Sequence, residues 1–144
     1  MRPLVIDASV AVKWFLPENH SSEALLIRDK FVDGECKLIA PDLMLSELAN
    51  VLWKRRESID EATALDIIRD LLALGVGLVP SEQIIVRAYR LASGHNRTVY
   101  DSMYLALAES RNCDMVTADE RLFHAVERHL PFIHLLGEWE PTEA

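Results

Sequence analysis

Short, wholly apolar runs alternate with helix-period segments along this chain. Leu4-Val5-Ile6 is too short for a helix and carries no polar face, so it reads as a buried strand. Helical patterns follow at about 8–15 and 20–32. Leu38-Ile39-Ala40 reads as a second strand, stopped by Pro41. Over 43–56, Met44, Leu48, Val51 and Leu52 recur on one face and predict a helix. A further helix spans 59–74, opened by Ser58 or Asp60 and closed by Gly75. The segment 76–79 is a third strand, and Pro80-Ser81 starts a helix to about Ser93. Residues 94–98 form a loop. A helix over 101–111, the strand Met115-Val116, a helix over 119–128 and the strand Phe132-Ile133-His134 complete the order.

Apolar strands separated by helices imply a sheet buried on both faces. The expected architecture is α/β: three-layer α/β/α with a short, mostly parallel central sheet and right-handed crossovers. At 144 residues, half of them hydrophobic, residues 1–144 fit a single domain with a normal core. No apolar run approaches the ~20 residues that span a bilayer. The start, Met1-Arg2-Pro3, leads straight into a strand and is not a signal peptide. Cys36 and Cys113 show neither metal spacing nor a redox motif, and reduced thiols in a cytoplasmic protein are expected.

The net charge of −8 and pI near 5.1 exclude nucleic-acid binding through bulk positive charge. They leave room for a nuclease, because bound metal ions can supply the charge a phosphate meets. Lys54-Arg55-Arg56 is the one local basic cluster, and it equally suits the C-terminus of a helix.

Four acids stand where this pattern makes a carboxylate costly. Asp7 ends the first strand, Glu47 shares the face of Met44 and Val51, Asp101 opens a nearly all-apolar helix, and Asp119 follows the fourth strand. In such sheets, ligands bind outside the carboxyl ends of the strands. Three of the acids also have plain alternatives. Asp7 and Asp101 can be helix caps, and Thr117-Ala118-Asp119-Glu120 matches a capping box. Glu47 has no such alternative. Two carboxylates ~5 Å apart repel by roughly 3 kcal/mol at an effective dielectric near 20. A helix dipole returns only about 0.3–1 kcal/mol. A shared divalent cation or a shared proton resolves the imbalance, and oxygen-only ligands favour Mg2+ or Mn2+ over zinc.

The segments 5–15, 40–52, 98–108 and 116–122 resemble PIN-domain proteins, and among them the VapC-type toxin ribonucleases of toxin–antitoxin pairs. The resemblance runs in order over nearly the whole chain, and Asp7, Glu47, Asp101 and Asp119 match all four family acids. It implies a Mg2+- or Mn2+-dependent endoribonuclease acting on RNA, a homodimer, and inhibition by a small antitoxin. The expected chemistry is metal-assisted phosphodiester hydrolysis without a protein nucleophile. Ser9, Asn50 and Thr117 are candidates for supporting the acids or touching phosphate, and each is also an ordinary polar residue.

Trp14 and Trp53 are expected in the core, and Trp139 either packs back on the sheet or lies at an interface. The five histidines have no ligand spacing and receive no role. Three rival readings are weighed. A PIN-like binding or scaffold module would keep the fold without catalysis. A phosphoacceptor receiver module needs an acid pair at the first strand and a late lysine, whereas Ala8 and Ser9 follow Asp7 and no lysine follows Lys54. A haloacid-dehalogenase-type phosphatase needs an aspartate where Ser9 stands.

Overall fold

A computed structural model describes residues 1–141 of the chain; the last three residues of the expected domain, 142–144, lie outside the described residues. Five strands, β1 (Pro3–Ile6), β2 (Lys37–Pro41), β3 (Gly77–Val79), β4 (Met115–Thr117) and β5 (Ile133–Leu135), form one parallel sheet in the order β3-β2-β1-β4-β5. Seven helices accompany it: α1 (Ala8–Ala11), α2 (Ser21–Val32), α3 (Leu43–Lys54), α4 (Glu61–Leu74), α5 (Ile85–His95), α6 (Val99–Arg111) and α7 (Glu120–Val126). The three-layer expectation holds, and the sheet is parallel throughout.

The chain winds outward from β1 through β2 to β3, then returns to place β4 on the other side of β1. That reversal makes the β1/β4 boundary a topological switch point, where the crevice beyond the strand ends opens. Register aligns Val5 with Met115 and Ile6 with Val116. Asp7 and Thr117, the next residues of the two strands, are thereby brought side by side.

Local signals set most element ends. The Asp60 carboxylate accepts the Thr63 N–H at 2.7 Å and opens α4, which Gly75 closes in the left-handed region at φ 74°. Pro41 does not stop β2 but is its last residue. It lacks only an N–H, and the ladder resumes when the Asp42 N–H donates to the Val79 carbonyl at 3.0 Å. The core runs through the sheet and into α6, where Ser102 to Ala108 are all buried against β1, β2 and α5. Trp14 is in this core, with its indole N–H donating to the Ala24 carbonyl at 2.9 Å. Trp53 is not: it is 59% exposed near the end of α3, with the Arg56 guanidinium 4.0 Å above its ring. The core placement expected for Trp53 from its helix pattern does not hold. Trp139 packs partly buried against the core, and both cysteines are free thiols. Among the described residues, no helix is long and apolar enough to cross a membrane.

Candidate metal centre

Each of the four acids is delivered by a different element: Asp7 and Asp119 just after β1 and β4, Asp101 from the first turn of α6, and Glu47 from within α3. Asp7 leaves β1 in an extended conformation and caps α1, accepting the Val10 N–H at 3.3 Å. Its other contacts reach beyond a cap. The Ser9 hydroxyl donates to one carboxylate oxygen at 2.5 Å and the Thr117 hydroxyl to the other at 2.5 Å. Ser9 in turn accepts the Ala118 N–H at 2.9 Å. One small network therefore staples the end of β1 to the end of β4.

Asp119 does cap α7, accepting the Leu122 N–H at 3.1 Å. The capping-box alternative does not hold as such, because the cap is Asp119 itself, although the Thr117 hydroxyl accepts the Asp119 N–H at 3.0 Å. Thr117 is the last residue of β4, and its buried hydroxyl is turned to Asp7. Asp101 does not open α6 but occupies its third position. Thr98 is the cap, its hydroxyl accepting the Asp101 N–H at 3.1 Å. The side chain of Asp101 is therefore free of capping duty.

Glu47 is half-buried on α3, at the margin of the apolar face rather than inside it. Met44 and Leu48 are fully buried beside it. Its partner is the Tyr104 hydroxyl, which donates to the Glu47 carboxylate. Tyr104 was not foreseen as a site residue. The signal was present, since Tyr104 lies three residues after Asp101 and so on the same face of α6. Asn50 is exposed, one turn from Glu47 on the wall of the same cleft.

The electrostatics tie the acids to one another. Burial pushes the Asp7 carboxyl up to about 6, against the hydrogen bonds of Ser9, Thr117 and the Val10 N–H, and the charge of Asp119 adds to the rise. Burial also raises the Asp101 carboxyl, again with Asp119 adding, while Arg97 and Thr98 oppose. Glu47 is raised by burial and by Asp101, and the Tyr104 bond opposes. Burial, then the charge of Glu47, drives the Tyr104 hydroxyl far above its usual range, so it stays a donor. Among the described residues, no ion pair joins any of the four acids to a cation. Asp119 thus acts on both Asp7 and Asp101, and Asp101 on Glu47, with Arg97 partly offsetting the charge at Asp101.

That donor set suits a hard divalent cation in kind: oxygen only, with no histidine or cysteine. Its side chains are not closed into a cage. Among the described residues, no three or more histidine, cysteine or acidic groups stand close enough together to hold an ion. Glu47 is held by Tyr104, Asp7 by Ser9 and Thr117, and Asp119 by the start of α7.

A doubly wound parallel sheet, with Asp7 and Asp119 at the strand ends that flank its switch point, defines the class of protein as α/β. Comparison with known proteins narrows this further. The PIN-domain model matches residues 4–128, and the chain belongs to the PIN-domain family. It is similar to the ribonuclease VapC3 of Pyrobaculum aerophilum, 33% identical over 123 residues that cover 83% of this chain and 91% of that protein. The crystal structure of PAE2754 from Pyrobaculum aerophilum shares the fold with a TM-score of 0.67 at 24% identity, over 86% of this chain and 79% of that one. The VapBC complex of Salmonella typhimurium, solved bound to DNA, matches with a TM-score of 0.60 at 17% identity, over 94% and 97% of the two chains.

Proposed function

We propose that this chain is a divalent-metal-dependent endoribonuclease, the toxin of a type II toxin–antitoxin pair acting in the bacterial cytoplasm. The observation that supports the reading is a chain of influence among acids that no ion pair neutralises among the described residues: Asp119 acts on Asp7 and on Asp101, and Asp101 acts on Glu47. The VapC ribonuclease relative supports RNA as substrate, and the VapBC complex supports an antitoxin partner; a homodimer is part of the proposal through the family resemblance.

In this reading the four acids hold Mg2+ or Mn2+. When bound, the ion lowers the pKa of a water and offsets charge developing on the phosphodiester. The remaining work belongs to the chain. Ser9 and Thr117 fix both oxygens of Asp7, so the carboxylate faces the crevice in one orientation. Tyr104 does the same for Glu47, and as a permanent donor it cannot compete for the proton. Asp119 is anchored by the Leu122 N–H, which leaves its second oxygen for the site. Asp101, on the first turn of α6 beside Thr98 and near Arg97, supplies the fourth carboxylate. No side chain serves as nucleophile.

The test is cleavage of single-stranded RNA by the purified chain with Mg2+ or Mn2+. The expected result is internal cleavage that stops with chelator and returns with added metal. Undiminished cleavage in excess EDTA overturns the metal-dependent reading. The open arrangement of the acids favours a second reading, a PIN-like binding module without catalysis. RNA binding with no cleavage under any divalent ion would establish that reading instead.

A further inference from the structure

The basic cluster at the end of α3 divides in the folded chain. Arg56 turns back on its own helix, stacking over Trp53 at 4.0 Å and donating to the Trp53 carbonyl at 3.1 Å. Lys54 and Arg55 instead line a cleft of about 460 Å³ that reaches one of the four acids, Glu47, and whose walls also include Asn50, Ala118 and Ser9, the hydrogen-bond partner of Asp7. Lys13, from the 3₁₀ turn Val12–Trp14 after α1, joins them there.

Lys13 is a sequestered cation. Its side chain is 10% exposed, and its ion-pair partner is Glu18 at 3.5 Å. The same Glu18 carboxylate accepts Arg55 at 3.1 Å. Lys54 has no ion-pair partner among the described residues. Two of the three cations thus share one carboxylate, the third has none, and none is ion-paired to the four acids. Partly burying a lysine is costly unless something anionic meets it. One carboxylate bridging two cations leaves the cleft wall positive in a chain whose net charge is −8. A polyanion is repelled from most of this surface and drawn to the rare place where cations gather.

We propose that Lys13, Lys54 and Arg55 form the subsite that grips the RNA backbone beside the scissile bond. Glu18 occupies the place of a phosphate in the free protein, keeping Lys13 and Arg55 extended into the cleft. The proposal rests on the ribonuclease reading and adds to it the side from which the strand enters: across the end of α3. An incoming phosphate exchanges with the Glu18 carboxylate, and the arginine meets it as a planar fork. This differs from a role for Lys54 and Arg55 as mere counter-charges to the α3 C-terminus, which would not depend on RNA.

The experiment uses the full chain in an Asp7→Asn background with Mg2+ and a fluorescein-labelled random single-stranded RNA of about 20 nucleotides, read by anisotropy over a salt series. Lys54→Gln and Arg55→Gln should each weaken binding about fivefold, the scale of an exposed ion pair. Each should also flatten the slope of log K against log salt by about 0.7, one phosphate contact on a single strand. Glu18→Gln should tighten binding, while Asp70→Asn, an exposed acid outside the cleft, should not. In the otherwise wild-type enzyme, the lysine and arginine changes should raise KM and leave kcat unchanged. Affinity, slope and KM all unmoved by Lys54→Gln and Arg55→Gln would overturn the subsite. Glu18→Gln tightening binding no more than Asp70→Asn would overturn the phosphate-mimic role. Dependence on these cations for a poly-glutamate peptide but not for RNA would assign the cleft to an acidic protein segment and overturn the proposal. If the wild type cuts no RNA, the function reading fails, while the anisotropy series still reports on the subsite.

Discussion

Replacing Asp7 with asparagine separates a helix cap from a charged ligand. The Asp7 side chain is only 6% exposed, so water screens it little. Its carboxyl sits at about 6, against an ordinary 3.8, chiefly because burial disfavours the ion. At about 1.4 kcal/mol per pH unit, the ionised carboxylate costs the metal-free fold roughly 3 kcal/mol at neutral pH. Between pH 3.8 and about 6 the unfolded chain releases this proton while the folded chain keeps it. Metal-free stability therefore falls through that window and is level above it. Asparagine is neutral at every pH and caps a helix about as well. Its amide oxygen can still accept one of the hydroxyls from Ser9 and Thr117. In EDTA at about pH 7.5, Asp7→Asn should be more stable than wild type by up to ~3 kcal/mol, and the difference should vanish near pH 4. For a chain of this size, that is a rise in Tm of roughly 6–12 °C. With Mg2+ the order should narrow or reverse, because only the wild type gains the full binding stabilisation. Cleavage should fall by orders of magnitude, here meaning at least ~100-fold. The assay is urea and thermal unfolding across pH, with and without Mg2+, alongside RNA cleavage. A variant less stable than wild type in EDTA at neutral pH, or a gap that ignores pH, refutes the burial argument. A variant that cleaves like wild type refutes the ligand role.

Tyr104→Phe removes the one donor to Glu47, so the Glu47 carboxyl should rise further and the acid limb of the pH–rate profile move to higher pH; an unmoved limb with unchanged Mg2+ affinity by calorimetry would show the bond to be structural only. Thr117→Val takes a hydroxyl from the buried Asp7 carboxylate and should cost about 1–3 kcal/mol in urea unfolding at neutral pH. Trp14→Phe removes the buried indole bond to the Ala24 carbonyl and shrinks a core ring, and should cost a similar ~1–3 kcal/mol, whereas Trp53→Ala should cost no more than about 1 kcal/mol, the worth of an exposed cation–π contact; equal losses at the two sites would contradict their placement. Gly75→Ala meets open space but a φ of 74°, and should destabilise α4 by about 1–2 kcal/mol in thermal melts.

The order of elements was legible in the sequence because the signals are local. Short apolar runs bounded by turn and helix signals read as strands, Asp60 and Gly75 carry their own capping geometry, and an unbroken apolar stretch such as Met103 to Ala108 must be covered on every side; the edge strand β3, with Gly77 and Leu78 exposed, departs from the expected burial because no strand lies beyond it. The four acids were visible for the same reason, since each interrupts or abuts an apolar pattern that makes it expensive. What each acid touches was not legible. Asp7 meets Thr117 across 110 positions and Glu47 meets Tyr104 across 57. Those pairings follow from strand order and from the register that sets Ile6 against Val116. A threonine before a helix looks the same whether its hydroxyl caps that helix or crosses to a neighbouring strand, and only the neighbour decides. Trp53 and Trp14 share a helical periodicity with their surroundings, yet one is exposed and one is core. Periodicity states which way a side chain points from its own helix, while burial requires a second element to arrive there. The division of Lys54-Arg55-Arg56 between a cleft and a helix end belongs to the same class. It depends on where α1 and Glu18 lie in space, which sequence spacing alone does not encode.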